Sequence, residues 1–419
     1  MKRRLSILFA AILLFSYVFT GSILVGAEQS GAFEYFVTDY DSVKVATISY
    51  YNGPGGNIII PSTLDGYPVH IIGAYSFEAR TSISSVVFPE SVTSISQNAF
   101  SGCKNLKNVT FGNKIKNISS KAFFECDGLT AVTLPASLKT FDITAFWGCE
   151  KLASISVEAG NPYFYSQNGV LFNGDATKLI QFPFGKTGIY TVPGSVSSIG
   201  EYAFYKTYGI TSLTVSSGVN SIGSHAFNYC GMSSVSLSSG VGTISDFAFA
   251  QAKNLISISI SGNVGVIRGY AFNGCKSLAG AIFNGNAPVM GPDVFARCAP
   301  SFKVYYNAGS EGFTSPWRGY KTTTDTFVPP TPAPTTVHPT SVKINKSIVI
   351  LVKGKTTTLI ASVSPANANN KKVTWKSSNS KCAKITSTGL VLGLSKGIAI
   401  ITATTLDGAK SATCKVVVN

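Results

Sequence analysis

The sequence predicts a mostly β protein in two parts, a solenoid of stacked parallel strands with about 23 residues per repeat, followed by a small β-sandwich. Three observations carry this. Phenylalanine recurs at Phe77, Phe100, Phe123 and Phe146 in steps of 23, and again at Phe204, Phe227, Phe249, Phe272 and Phe295 in steps of 23, 22, 23 and 23. The chain holds 40 Gly, 18 Pro, 27 Phe and 18 Tyr with few long runs of helix formers, which favours many short strands and turns. A Thr- and Pro-rich tract then divides the repeats from a final stretch of short alternating segments.

Taken in order, Lys2, Arg3 and Arg4, the apolar run Leu5 to Phe19 and the small residues Val25-Gly26-Ala27 predict a secretory signal peptide over 1–27. An uncleaved anchor is the alternative that this apolar length permits. No later run is long enough to span a bilayer, so no transmembrane segment is expected after cleavage.

The solenoid is assigned to 28–321. Its template is LxxVx(F/L), often followed by Pro, and then xxVxxIxxxAFxxC, as in Leu106, Val109, Phe111, Ile115, Ile118, Ala122, Phe123 and Cys126. Val109 and Phe111 share one face of a short strand and Thr110 points to the other. Later apolar marks every three or four residues turn the chain back around the same core. One copy cannot bury its own apolar side, so copies must stack, each hydrogen-bonding to the next. The interval from Phe146 to Phe204 exceeds two periods by about half of another. The extra material carries Val170 to Phe172 and Leu179 to Phe182 around Asn173-Gly174-Asp175, a hairpin signal. It reads as a protrusion on one rim, or as a ligand-binding loop with Tyr163 and Tyr165 as contacts.

Residues 322–340 form the linker, within the stretch TTTDTFVPPTPAPTTVHPTS, where Thr and Pro together make up most of the positions. This composition predicts an extended spacer in which His338 is solvated. Residues 341–419 predict the sandwich. Strands are expected at Val342 to Ile344, Ile348 to Val352, Thr357 to Val363, Val373 to Lys376, Ala383 to Thr386, Gly389 to Leu392, Ile398 to Thr404 and Ala412 to Val418.

Strand-centre residues that point outward form a ladder: Val87, Thr110, Thr133, Ser156, Thr191, Thr214, Ser236, Ser259, Ile282 and Tyr305. The seven Ser and Thr present hydroxyls that donate and accept but do not titrate. This suits an extended binding surface rather than catalysis, although Thr is also simply a good exposed strand former. Cys103, Cys126, Cys149, Cys230, Cys275 and Cys298 hold one phase of the repeat, three positions after the phenylalanine. Arg80, Thr207 and Ala252 hold it elsewhere, so buried thiols acting as small fillers are expected there, with bridges between neighbouring rungs as the alternative. Cys382 and Cys414, the pair that lies outside the repeats in the last segment, are candidates for a disulfide.

The repeat resembles the BspA-like class of bacterial leucine-rich repeats, recognisable by AFxxCxxLxxVxxP, over residues 33 to 325. IIIPSTLDGYPVHIIGAYSF resembles that family's N-terminal cap and VYYNAGSEGFTSPWRGYK, at 304 to 321, its closing segment. No Asn ladder follows the strand as it does in common leucine-rich repeats, and Pro often stands there instead. Trp375 followed by Ser377-Ser378-Asn379, GLV at 389–391 and GIAIITA at 397–403 resemble the group 2 bacterial immunoglobulin-like domain. These resemblances imply a surface or secreted protein that adheres to host matrix or surface glycoproteins or to other microbial cells. The Ig-like module would serve as spacer, stalk or envelope contact.

Little points to catalysis. The three His are widely separated along the chain, with His70 and His225 expected in or beside the repeat core, and no HExxH, GxSxG, Walker or dinucleotide motif occurs. No catalytic residue, cofactor or metal is expected. A carbohydrate-active enzyme on a β-solenoid and a purely structural envelope component remain the alternatives. The net charge of +15 is uneven: 19 basic and 18 acidic residues over 28–336, but 12 Lys against one Asp over 337–419. No nucleic-acid partner is expected of an exported chain. The Lys-rich module suits anionic cell-wall polymers or host polyanions, or is a solvated face that aids solubility.

Overall fold

The structure, a computed structural model, describes residues 27–329, 338–366, 368–407 and 409–419. The expected signal peptide lies outside the described residues but for Ala27, as do residues 330–337 of the linker. Every described element is a β-strand, and none of the described residues forms a helix long and apolar enough to cross a membrane. The chain divides into two compact units, Met1–Pro330 and Thr331–Asn419.

In the first unit, Glu28–Ser30, Phe33–Tyr40 and Val43–Tyr51 pair antiparallel in succession and close the N-terminal end. Val43–Tyr51 then pairs parallel with Tyr67–Ile72, which begins a run of two-residue strands at Ser94–Ile95, Asn117–Ile118 and Thr140–Phe141. Tyr35, fully buried, has its hydroxyl 2.7 Å from Glu28 Oε2 and 2.8 Å from Asp65 Oδ2, which ties the first strand to the loop at Asp65.

The opposite side of each rung is the strand predicted from the template. Val86, Val109, Val132 and Ile155 face inward, as do Leu213, Val235, Ile258, Ala281 and Val304. The repeating phenylalanines stack along the axis with centroids 4.6–5.3 Å apart, from Phe77 to Phe146 and from Phe182 to Phe295. Each buried ring contributes about 1.5–3 kcal/mol by leaving water.

The corner around each phenylalanine is a third hydrogen-bonded edge. Around the phenylalanines of the two sequence series the residues two before and two after are left-handed, as at Lys121 and Glu125, Tyr202 and Lys206, or His225 and Tyr229, except at Phe146, where Gly148 is left-handed and Thr144 is not. That geometry turns alternate N–H groups along the axis. Phe100 N donates to Ala122 O at 2.7 Å and Gly102 N to Phe124 O at 2.7 Å. Ala precedes the phenylalanine because the column is wholly buried: Ala99, Ala122, Ala145, Ala226 and Ala248 have no exposure. Past the strand, where the family pattern offered no Asn ladder, backbone bonds such as Phe88 N to Thr110 O and Val215 N to Ser236 O, each 2.9 Å, join the rungs.

The six repeat cysteines are free. Each thiol also donates across to an earlier rung. Cys103, Cys126, Cys149 and Cys275 reach the carbonyls of Phe77, Phe100, Phe123 and Phe249 at 3.1–3.2 Å, Cys298 reaches Phe272 O at 3.4 Å, and Cys230 reaches Thr207 O at 3.7 Å. Thr207, in the same phase, donates to its own rung's Phe204 carbonyl instead. Burial pushes the Cys103 and Cys298 thiols up to about 12 and raises those of Cys126, Cys230 and Cys275. A thiol near 12 holds about three orders of magnitude less thiolate at pH 8 than a free cysteine. Native chain treated with a thiol-reactive disulfide reagent at that pH is therefore expected to leave these cysteines unlabelled, with full labelling in denaturant. Rapid native labelling, followed by mass mapping, would contradict the buried arrangement.

Two sequence expectations change in this unit. The insertion is no protrusion: Phe164–Gln167, Val170–Asn173 and Lys178–Gln181 form the expected antiparallel hairpin, but Val170, Leu171, Phe172 and Leu179 are buried. Four apolar residues that close together seek the core, so the hairpin plugs the solenoid, leaving Tyr163 and Tyr165 exposed. At the far end Thr322–Thr323, expected in the linker, pairs parallel with Lys303–Tyr306, and Phe327 packs edge-on to Tyr305 at 5.0 Å.

The second unit is a sandwich. Ile348–Leu351, Ser411–Val418, Gly397–Thr405 and Val373–Ser377 form one sheet in that order, and Thr356–Thr358, Leu390–Gly393 and Ala383–Ile385 form another. The strand expected over Thr357 to Val363 is split. Leu359 turns inward and donates its N–H to Gly389 O, and Ala361–Ser364 pairs instead with Ser341–Ile344. Cys382 and Cys414 are both buried and both free, so the expected disulfide is absent. Cys382 Sγ lies against Gly397, which pairs with Val418, whereas Cys414 pairs with Ile401. Four residues of strand put the two sites roughly 13 Å apart, beyond the roughly 7 Å Cα limit of a bridge. His338 is exposed, as expected of the linker, but it is not without a partner: its Nδ1 lies 2.8 Å from Asp407 Oδ2.

Candidate functional site

The hydroxyl ladder lies where strand alternation puts it. Thr191, Thr214, Ser236 and Ser259 are direct neighbours on successive strands of one sheet, continued by Ile282, Tyr305 and Thr323. Thr133 and Ser156 are neighbours in a two-stranded sheet, and Thr110 adjoins Val87 in a three-stranded one. The seven predicted positions thus fall into three groups, separated by breaks in strand pairing on either side of the Thr133 and Ser156 pair. All are exposed except half-buried Ser156.

Their partners define what they can do. Ser259 Oγ accepts from Asn284 Nδ2 at 2.8 Å. The other six hydroxyls make no side-chain hydrogen bond among the described residues. Adjacent parallel strands lie about 4.8 Å apart, so the row offers donors and acceptors at a regular spacing that an extended ligand can match.

The template reading missed a second polar row two residues earlier on the same face: Ser85, Asn108 and Ser154, then Ser212, Ser234 and Ser257. Ser234 Oγ donates to Ser212 Oγ at 3.2 Å, and Ser85 Oγ to Asn57 Oδ1 at 2.8 Å. The period-two rule that located the first row would have located this one. Apolar residues flank the polar face, with Ile59 75% exposed at the N-terminal end and Tyr305 under Phe327 at the other.

The histidines lie beside the core. His225 stacks between Tyr202 and Phe247 at 4.7 and 4.8 Å, with Nδ1 2.8 Å from Asn228 Nδ2, and His70 meets Tyr40 edge-on at 4.3 Å. Burial lowers the pKa of both. Among the described residues no group of three or more His, Cys, Asp or Glu could hold a metal ion.

The second unit offers charge. All twelve of its lysines are exposed, none pairs with a carboxylate among the described residues, and its one Asp is engaged by His338.

Comparison with known proteins agrees with both resemblances. The family model described as BspA type leucine-rich repeat region matches in six copies over residues 70–190 and 184–301. The model for the group 2 bacterial Ig-like domain matches 339–416. An uncharacterized protein of Clostridium acetobutylicum is 40% identical over 78 residues, 18% of this chain and 8% of the relative. An alpha-L-arabinofuranosidase of Bifidobacterium longum is 42% identical over 79 residues, 17% of this chain and 7% of that enzyme. The chain thus spans less than a tenth of the length of these two relatives. Among solved structures, the pneumococcal vaccine antigen PcpA is 21% identical with a TM-score of 0.49, over 67% of this chain and 87% of the antigen.

Proposed function

We propose, from the premise that the chain belongs to the BspA-type leucine-rich repeat family and ends in a group 2 bacterial Ig-like domain, that it is an exported, non-catalytic adhesin-like protein. It acts at the cell surface or in the medium, and its solenoid binds host matrix or surface glycoproteins or other microbial cells. The observation that carries this is the row of exposed hydroxyls Thr191, Thr214, Ser236 and Ser259 held in register on one sheet, of which only Ser259 has a side-chain partner among the described residues. Such a face loses little ordering entropy on binding, because the stacked rungs already fix its spacing. The uncompensated lysines of the Ig-like unit supply a second, electrostatic contact with anionic cell-wall polymers or host polyanions.

One binding experiment tests both contacts. The full chain is applied to a panel of matrix glycoproteins and bacterial cells at low and high salt, beside a variant carrying Thr191→Val, Thr214→Val, Ser236→Ala and Ser259→Ala. Each lost hydrogen bond is worth about 0.5–1.5 kcal/mol, so the variant is expected to bind its solenoid partner at least about tenfold more weakly at either salt. Retention on cell walls is expected to fall as salt rises. A panel with no saturable partner, or a variant that binds as the parent does, overturns the ladder as the binding face.

A further inference from the structure

The regular corner of the solenoid is interrupted once. After Phe146 the chain runs through Trp147 and Gly148 to buried Cys149 and Leu152, and other rungs do the same. Between Phe146 and Phe204 the core slot is taken by Phe182, whose N–H donates to Ala203 O and whose ring stacks on Phe204 at 4.9 Å. The chain leaves that slot through Pro183-Phe184-Gly185, so Pro183 stands where neighbouring rungs place Trp147 and Tyr205. Gly185 sits against the preceding rung: a Cβ there would lie 2.5 Å from the Lys151 carbonyl carbon. This contracted rung leaves a recess of about 760 Å³.

Its lining has two parts. Phe124, Trp147, Phe184, Tyr205 and Tyr208 supply rings around glycines Gly148, Gly185 and Gly209, which bring no side chain. Trp147 and Tyr205 meet at 4.7 Å, and Tyr208 is 58% exposed. Three lysines, Lys104, Lys121 and Lys206, are matched by three carboxylates, Glu125, Asp127 and Glu150. Lys121 Nζ lies 5.6 Å from the Phe124 ring and Lys206 Nζ 5.4 Å from that of Tyr205.

We propose that this recess binds a neutral oligosaccharide. Aromatic rings with electron-rich faces favour the electropositive C–H faces of a sugar. Sugar hydroxyls can donate to the carboxylates and accept from the ammonium groups, and such charge-assisted bonds are the stronger kind. Equal numbers of the two charges favour no net charge in the ligand, and a purely apolar ligand would desolvate six ionised groups without pairing them. The volume lies within the roughly 300–1,000 Å³ of small-molecule sites. The recess lies at the corner, a different face from the hydroxyl row, and does not depend on that row being a binding surface.

Saturation-transfer NMR and calorimetry on the full chain test this with neutral cellotriose, maltotriose, mannotriose and N-acetylated chitotriose, beside charged trigalacturonate and de-N-acetylated chitotriose. At least one neutral probe is expected to bind saturably and to be recovered uncleaved. Trp147→Ala should weaken it about tenfold or more and Trp147→Phe about threefold or less. Lys276→Ala, exposed on a rung nearer the C-terminal end of the solenoid and outside the recess, should leave it unchanged. Tyr208→Ala, on the exposed rim, should reproduce the loss should Trp147→Ala fail to fold. Absence of saturable neutral binding, preference for a charged probe, cleavage of the probe, or indifference to both ring substitutions in folded chain overturns the proposal.

Discussion

Phe249→Ala is expected to destabilise the solenoid by about 3–5 kcal/mol, the range for removing a buried aromatic side chain from a packed core. The ring is fully buried between Phe227 and Phe272, with centroids 4.8 and 5.0 Å away, so its loss opens a cavity on two neighbours at once. Neither neighbour can shift to fill it, because the corners that hold them are tied rung to rung: Phe227 N bonds to Ala248 O and Phe249 N to Ala271 O, both at 2.7 Å. Stability in a stacked array is close to a sum of nearest-neighbour terms. A cavity in the middle of the array therefore weakens the interfaces with both neighbouring repeats at once. Urea denaturation followed by circular dichroism measures this. A loss below about 1 kcal/mol, typical of surface changes, would mean the column is not the structural spine.

How much of this was legible beforehand depends on whether a feature repeats in the sequence. The phase of Phe77 to Phe295, the inward strand residues such as Val109 and Val132, and the outward hydroxyls all follow from alternation and period, because one rung's environment is the next rung's environment. Phe182 was not legible as a core ring. The hairpin before it adds chain out of phase, placing Phe182 about a period and a half after Phe146 but a single period before Phe204, and only the second interval carries the signal. The recess built around that rung was hidden for the same reason. The left-handed corners were hidden differently: they fall on Lys121, Tyr202, Tyr229 and Phe247, residue types with no preference for that geometry, so the stacking imposes it. The disulfide expectation erred because spacing along the chain says nothing about position along a strand. Cys382 and Cys414 belong to the same core but to different depths of it.

In the second unit Gly389→Ala is expected to cost about 2–4 kcal/mol, from two separable causes. Gly389 has φ of +87°, a conformation that costs a residue with a Cβ about 1–2 kcal/mol. Its position is also crowded: an added Cβ would lie 2.3 Å from the carbonyl oxygen of Leu359. That oxygen cannot simply move away, because Leu359 N donates to Gly389 O at 2.9 Å and the Leu359 side chain is buried in the core. The GLV segment is therefore the place where the strand of Leu390–Gly393 is pinned to the turn at which the neighbouring chain changes sheets. Gly354 separates the two causes. Its φ is +83°, but nothing lies within 4 Å of an added Cβ, so Gly354→Ala should show the backbone penalty alone. Calorimetry on the full chain reads both, since two compact units of this size are expected to melt as distinct transitions. Both substitutions should lower the Ig-like transition and leave the solenoid transition in place, with Gly389→Ala lowering it further. Equal shifts for the two variants would show that the approach to Leu359 relaxes without cost and that backbone strain alone explains glycine at 389.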